Sequence, residues 1–570
     1  MITHLPRTIS KWDGYALLLL ACLFALCMEA GHHMHGIIPD SVRHPVPLDP
    51  KHLPFYALLT FSRMMIGIVC SLIFTILYAT LAAKVKRLTP ILIPLLDILQ
   101  SVPVLGYLSF TVAGFASLFP GNLLGLELVV IFAIFTAQTW NMTFSLYQSL
   151  ISIPKDLLEA ASVFGLTSWQ RFWTIELPYA VPGLIWNAMV SMSGAWFFIV
   201  ASEAVTIGNT QFYLPGMGSY IASAINAMDF HAVINAILTM LATIILYDQV
   251  LFRPLTEWAQ KYRYETVSSC KVTSGWCYQL LQRVRIIRLP LYPLRYLCQR
   301  LYHFRLPASP ALLEHKHTRR VWHFLYDVLY YAVLTYSTIY GLAYLWKSLG
   351  QHITFFQLKE CFFLGFLTLL RILCMMVLVV IIWIPIGIYI GLRPNLAARI
   401  QPLVQILAAF PSNFLYPIFV LLLANYHLNP NIWLSPLIIF GTQWYLLFNV
   451  IAGTSAFPHD LKELAANLQL KGKLWWGKFM LPGIFPYVIT GLITSWGGAW
   501  NATIVAEIIS WGHKHYEAEG LGSYITQASD KGDFVSVAAG IIMMVLYVVT
   551  FNRLLWRPLY HLAESRFKMN

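Results

Sequence analysis

Apolar runs near or above 20 residues recur along the whole of this 570-residue chain, and nothing constrains its fold more. Each is long enough to cross roughly 30 Å of hydrocarbon as a helix. In lipid, backbone N–H and C=O groups must be satisfied within the protein, so such runs are helical; the alternating pattern of a membrane barrel is absent. With 58% hydrophobic and only 11% charged residues, the composition is far from that of an ordinary soluble enzyme.

The fold class expected is therefore all-α and membrane-integral, with about twelve spans. In the first half they lie near 13–30, 56–83, 91–118, 124–149, 183–207 and 231–252. In the second they lie near 322–346, 361–392, 400–424, 432–456, 483–509 and 535–556. Arg7 and Lys11 precede the first run as they would in a signal peptide, but GHHMHG offers no small-residue cleavage site, so the run is read as a retained helix.

Basic residues set the orientation. With the N-terminus in the cytoplasm, six Lys and Arg fall outside (Arg43, Lys51, Lys347, Lys359, Lys514, Lys531). Arg63 and Arg371 sit just inside spans, which leaves 30 of the 38 on the cytoplasmic side. Both termini are then cytoplasmic. The net charge of +13 is mostly this asymmetry and requires no nucleic-acid partner. The eight cysteines suggest neither a disulfide framework nor a zinc site. His32, His33 and His35, with His44 and His52 nearby, face outward; a surface metal site and plain solvated histidines both fit, and no spacing favours metal.

The chain repeats itself. DILQSVP (97–103) matches QILAAFP (405–411) at a shift of 308. Further on the shift is 304: SGAW (193–196) on GGAW (497–500), Glu203 on Glu507, GMGSYI (216–221) on GLGSYI (520–525), and FRPL (252–255) on WRPL (556–559). An even number of spans per half makes the copies parallel, with a pathway expected between them. The division is 1–256, a linker at 257–320, and 321–570. The linker holds 12 Lys and Arg against three acidic residues, interleaved with apolar ones, which suits helices lying on anionic lipid.

Between the fourth and fifth spans stands EAASVFGLTSWQRFWTIELP (159–178). Pro154 suits a first helical turn, and Asp156 and Glu159 favour its positive end. Gly165 can end the helix in a left-handed conformation, Thr167 with Gln170 forms a capping box, and Pro178 ends the excursion. Two short helices joined by a bend are more structure than a return to the membrane needs, and they suit docking.

Glu159, Ala160, Ala161, Gly165, Ile175, Leu177 and Pro178 fit every position of the cytoplasmic EAA loop of permease subunits in binding-protein-dependent ABC importers, which this segment resembles. The second copy, ELAANLQLKGKLWWGKFMLP (463–482), keeps Glu463, Ala465, Leu481 and Pro482 and adds Asp460 upstream, but has Gln469 at the glycine position and Phe479 at the isoleucine. Beyond the loop the resemblance runs over about 60–255 and 368–560, through Thr60–Arg63, Thr368–Arg371, the Gly-Ala-Trp stretch, Glu203, Glu507 and a Gly-x-Gly loop. It is greatest for the nitrate, sulfonate, taurine and bicarbonate importer group. It implies two MetI-like permease halves fused in one chain of a bacterial inner membrane. Loops at 151–181 and 458–482 would dock two separate ATPase subunits that bind ATP and Mg, and a periplasmic binding protein would deliver a small solute. GKLWWGK (472–478) has phosphate-loop spacing but lacks the following hydroxyl, so no cofactor or catalytic site is expected in this chain.

Residue type and position mark candidates for the pathway. Glu203 and Glu507 are expected about 30 Å from the cytoplasmic end of their span, near the outer mouth. There they act as a gate or binding-protein contact, or are simply solvated. Ser193, Trp196, Trp500 and Asn501 at mid-span, with Gln138, Asn141 and Gln443, either line the pathway or pack helices. An ion-coupled carrier is the rival; it needs ionisable residues at mid-membrane, where only Asp97 stands out.

Overall fold

The computed structural model describes residues 39–262 and 353–566, apart from 86, 208, 209, 456, 458 and 513, together with isolated positions between the two blocks. The run at 13–30, the histidines His32, His33 and His35, nearly all of the 257–320 linker and most of 322–346 lie outside the described residues. So do the side chains of Asp97 and Asp460.

The chain is an all-α membrane protein, with two small hairpins among the described residues. Among the described residues seven helices are long and apolar enough to cross a membrane, and two bent pairs raise the number to as many as nine. The first half runs α1 (Leu53–Lys84), α2 (Thr89–Ser101), α3 (Leu108–Leu118), α4 (Leu123–Ile151), α5 (Lys155–Val163), α6 (Ser168–Arg171), α7 (Leu177–Glu203), hairpin β1–β2 (Ala204–Ile207, Thr210–Tyr213), α8 (Met217–Asn226) and α9 (Phe230–Tyr247). The second runs α10 (Phe355–Gly391), α11 (Pro394–Ala409), α12 (Tyr416–Tyr426), α13 (Gln443–Ser455), α14 (His459–Asn467), α15 (Leu481–Ala506), hairpin β3–β4 (Ile508–Trp511, Lys514–Glu517), α16 (Leu521–Asp530) and α17 (Phe534–Phe551). Elements recur in the same order, so the sequence repeat is also a structural one.

Three expected spans are broken. The run at 91–118 splits between Ser101 and Leu108, and 400–424 bends by 79° after Ala409. Each break precedes a proline: Val102 before Pro103 has ψ 123° and Phe410 before Pro411 has ψ 122°. Proline drives its predecessor out of the helical region, so both helices stop there. The run at 432–456 bends by 43° between Phe440 and Gln443, whereas its counterpart α4 is unbroken. The runs expected at 183–207 and 483–509 end early, at Glu203 and Ala506, where the hairpins take over.

The segment between α4 and α7 is two short helices joined by a bend, as its sequence suggests. Asp156 lies in the first turn of α5, Gly165 closes it at φ 64°, and Thr167 and Gln170 form the capping box that opens α6. Leu166 N–H bonds back to Ala161 O at 3.1 Å, which closes the bend as a Schellman motif. One expectation fails: Pro178 ends nothing. It sits at the start of α7, where the missing N–H is harmless, and the helix runs on as one span from Ser168 to Glu203. A π-wound turn at Phe172–Glu176 carries the chain from α6 into α7. The second copy likewise forms one span from Gly472 to Ala506.

Gln469 takes the left-handed bend despite its side chain, at φ 47°, and Leu470 N–H bonds to Ala465 O at 3.0 Å. The second elbow thus keeps the geometry of the first at a conformational cost of about 1–2 kcal/mol. The reverse swap occurs at the other end of each half, where Met228 (φ 55°) matches Gly532 (φ 70°). Gln469→Gly is expected to raise unfolding free energy by somewhat under about 1 kcal/mol, because the relieved strain is partly offset by the freer unfolded chain. Gly165→Ala, with open space around it, is expected to lower it by about 1 kcal/mol through backbone strain alone. Chemical unfolding in micelles measures both; shifts of the same sign would contradict the equivalence of the two bends.

Candidate functional site

At the hairpin end of each half the sequence patterns converge into a buried ion knot. Arg63 on α1 is 1% exposed and grips Glu127 of α4 with two bonds, Nε to Oε2 and Nη2 to Oε1, each 2.6 Å. Its Nη1 reaches Glu203 Oε1 at 2.7 Å and the Pro215 carbonyl at 2.8 Å. Thr60, one turn earlier, donates to Glu203 Oε1 at 2.7 Å and accepts Met217 N–H at 2.9 Å. Glu203 Oε2 accepts Gly218 N–H at the start of α8, at 2.7 Å. The carboxylate thus caps a helix N-terminus while neutralising an arginine. Gly216 is required by space: a Cβ there would stand 2.4 Å from the Glu203 carboxylate.

The second knot repeats the plan. Arg371 Nη1 and Thr368 Oγ1 both donate to Glu507 Oε1 at 2.8 Å, and Gly522 N–H donates to Oε2 at 2.8 Å. The partner of Glu127 differs, because a shift of 304 places Asn431 there. Asn431 accepts from Arg371 through its backbone and side-chain oxygens, each at 3.2 Å. Arg371 is 12% exposed against 1% for Arg63. The reading of Glu203 and Glu507 as solvated helix-end carboxylates is therefore wrong, since they are 0% and 1% exposed. They sit at the ends of their helices, as expected, but the following hairpin and Gly-x-Gly helix fold back over them.

At the far end of each long span lies an elbow. On the first, Asp156, Glu159, Ala160 and Gly165 are exposed, Ala161 is buried, and Leu177 and Pro178 are half-buried. On the second, Glu463 and Leu481 are exposed, Ala465 is buried and Pro482 is half-buried. Both tips present large apolar side chains, Val163 and Phe164 on one, Leu464 and Leu468 on the other. The first elbow is also latched to α1. Glu176, buried, pairs with Arg171 at 2.7 Å and with Lys84 at 2.8 Å, and the Lys84 ammonium lies 4.9 Å from the centre of the Phe172 ring. The second elbow carries Trp475 and Met480 at the positions of Arg171 and Glu176, and it packs through rings such as Phe457 on Phe479, 4.9 Å apart.

Among the described residues, two cavities larger than 100 Å³ are lined by both halves. The hairpin-side one, about 290 Å³, is walled by repeat-related pairs such as Val200 and Ile504, Val205 and Ile509, and Ile221 and Ile525. Asp530 is at its rim, where packing on one side pushes the carboxyl up from its ordinary value and His515 works the other way. The elbow-side cavity, about 140 Å³, is walled by Gln100, Thr136, Trp140, Asn141, Ser191, Gly194 and Phe198 from the first half and by Tyr445, Thr494, Gly498 and Asn501 from the second. Hydrogen bonds also cross between the halves at residues that line them. Asn501 Oδ1 accepts Val104 N–H at 2.7 Å, and at the repeat-related place Asn413 Nδ2 donates to Phe197 O at 3.4 Å.

Of the residues singled out for a pathway, Asn141 and Asn501 line the elbow-side cavity; the others lie elsewhere. Trp196 and Trp500, each 1% exposed, pack against Tyr247 and Tyr547. Ser193 donates to Met189 O at 3.2 Å beside Trp196. Gln138 is buried against Met64, and Gln443 accepts from Trp383 Nε1 at 3.1 Å. Residue type alone does not reveal helix face. Positions 190, 191, 194 and 198 on α7 and 494, 498 and 501 on α15 follow helical spacing and mark the cavity side, with Trp196 and Trp500 turned away from it. That face, rich in small and polar residues, was the available signal. Glu127 was missed too, although a lone carboxylate in LLGLELVV is a signal by itself.

A family model described as "Binding-protein-dependent transport system inner membrane component" matches residues 56–252 and again 383–556. Among similar proteins are the bicarbonate transport system permease protein CmpB of Synechococcus elongatus and the nitrate import permease protein NrtB of Leptolyngbya laminosa. The first is 33% identical over 31% of this chain and 59% of its own length, the second 29% identical over 30% and 58%. The glycine betaine transport system permease protein OpuAB of Bacillus subtilis is 25% identical over 34% of the chain and 62% of its own. The matches to the first two thus span under two thirds of the relatives' length.

Removing a buried arginine strands its carboxylates, which costs about 3–5 kcal/mol. Arg63→Ala is expected at the upper end of that range and Arg371→Ala below it, because Arg371 faces one carboxylate and is partly exposed. Thermal unfolding of the two variants in micelles checks this, and equal losses would contradict it.

Proposed function

Because the chain belongs to the family of binding-protein-dependent transport system inner membrane components, carried twice in one polypeptide, we propose that it is a fused double permease of an ATP-driven importer. It moves a small solute inward across a bacterial inner membrane by alternating access at the interface between its halves. The elbow end faces the cytoplasm, in line with the basic residues, and both termini lie on that side. The hairpin end receives solute from a periplasmic binding protein. Each elbow inserts its acidic and apolar tip into a separate ATPase subunit, which binds ATP and Mg and supplies the hydrolysis. The bicarbonate and nitrate relatives make small solutes the class to test.

One observation carries this reading. Each long span, of 36 and 35 residues, begins at an elbow and ends beside the glutamate of a knot. Such a span is about 50 Å of continuous helix at 1.5 Å per residue. Movement of an elbow is thereby delivered to the wall of both cavities as rigid-body motion, not dissipated in a flexible loop.

Glu159→Arg and Glu463→Arg place a cation on an exposed docking tip away from the core. Either is expected to weaken co-purification of the ATPase subunit roughly tenfold or more, and the pair together to abolish it. If both variants retain the ATPase at the native ratio, the elbows are not its docking sites.

A further inference from the structure

The described lining of the elbow-side cavity is polar but uncharged. Among the described residues that line it there is no Lys, Arg, His, Asp or Glu. Gln100 Nε2 donates to Asn141 Oδ1 at 3.1 Å, which leaves the Gln100 carbonyl oxygen as an acceptor and the Asn141 NH₂ as a donor. The Ser191 hydroxyl, on a side chain 4% exposed, has no hydrogen-bond partner among the described residues. A buried hydroxyl without a partner costs about 1–3 kcal/mol, and a ligand or water in the cavity would remove that cost. Tyr445 adds a hydroxyl that both donates and accepts, and Trp140 and Phe198 add apolar ring faces.

Groups that could hold an anion nearby are already committed. Arg63 and Arg371, the arginines set well inside the described spans, are paired with the chain's own glutamates. The N-termini of α8 and α16, which would attract an anion, are capped by Glu203 and Glu507. Among the described residues the hairpin-side cavity has one charged lining residue, Asp530, and it is acidic. An anion crossing this route would leave water without a countercharge, at a penalty of several kcal/mol. A cation in the elbow-side cavity would meet no carboxylate among the described lining residues.

We propose that the elbow-side cavity binds a small uncharged organic solute through hydrogen bonds in both senses, from Gln100, Asn141, Ser191 and Tyr445, and that it discriminates against inorganic oxyanions. This rests on the reading of the chain as an importer's permease, and it separates the chain's solute from those named for its bicarbonate and nitrate relatives.

Charge selectivity can be measured without knowing the solute. Ser191→Cys and Thr494→Cys, on opposite walls, would each be made in the full chain with its eight native cysteines replaced by serine, together with an exposed reference away from the elbows, Ala227→Cys. Membranes carrying the ATPase are treated with hydroxyethyl, aminoethyl and sulfonatoethyl methanethiosulfonate, reagents of similar length and different charge. With rates normalised to the reference, the uncharged reagent is expected to react at least about tenfold faster than the sulfonate, and faster than the ammonium, at both cavity positions. A sulfonate rate equal to the uncharged one would overturn the discrimination against anions, and an ammonium rate equal to it would overturn the assignment to an uncharged solute. No reaction of any reagent at either position during ATP turnover would instead remove the cavity from the pathway and the permease route with it. Because two variants report independently, misfolding of one leaves the test intact.

Discussion

An arginine buried within a membrane-spanning helix has to be neutralised inside the protein, and this requirement organises each half of the molecule. Arg63 draws Glu127 and Glu203 to itself, and Thr60 and the start of α8 satisfy the remaining lone pairs of Glu203. Four elements (α1, α4, α7 and α8) are thereby tied at one point. A buried pair of this kind is weak evidence for net stability but strong evidence for a specified geometry, since any slip of one element would strand a charge. The glycine before α8 is part of the same constraint, because only a backbone without Cβ lets the helix approach the carboxylate. The long helix ending in the knot starts at the elbow, so fixing one end fixes the direction of the other.

The two halves share this plan but not its strength. The second knot has Asn431 in place of a carboxylate and an arginine that is partly exposed. Its elbow is bent by a strained Gln469 where the first has a glycine, and it lacks the Lys84–Glu176–Arg171 latch. All three differences make the second half the softer one. On the proposed reading, the two ATPase subunits push against walls of unequal stiffness.

Most of the architecture was legible in the sequence because it rests on local rules. Apolar run length gave the helices, the duplicated patterns gave the pairing of halves, and Thr167–Gln170 with Gly165 gave the elbow bend. What was not legible depended on third dimensions of packing. Pro103 and Pro411 were visible, but a long apolar run hid the breaks they impose. Pro178 looked like a stop because an isolated proline usually ends a helix, yet at the start of one it continues it. Glu203 and Glu507 were correctly placed at helix ends, but their burial depends on an arginine some 140 residues away. The cavity wall escaped notice because Trp196 and Trp500 draw attention by type, while the residues that shape the space, Ser191, Gly194 and Gly498, do so by their smallness and their helix face.

The central claim is that each elbow and the cavity wall behind it move as one body. The direct measurement is the distance between the two elbows, with spin labels off their tips at Trp173→Cys and its repeat mate Gly477→Cys in a background free of other cysteines, the chain being reconstituted with its ATPase. Pulsed electron spin resonance is predicted to show a distribution centred several ångströms shorter with ATP bound than without nucleotide. A distance that stays the same across the nucleotide cycle would contradict the account.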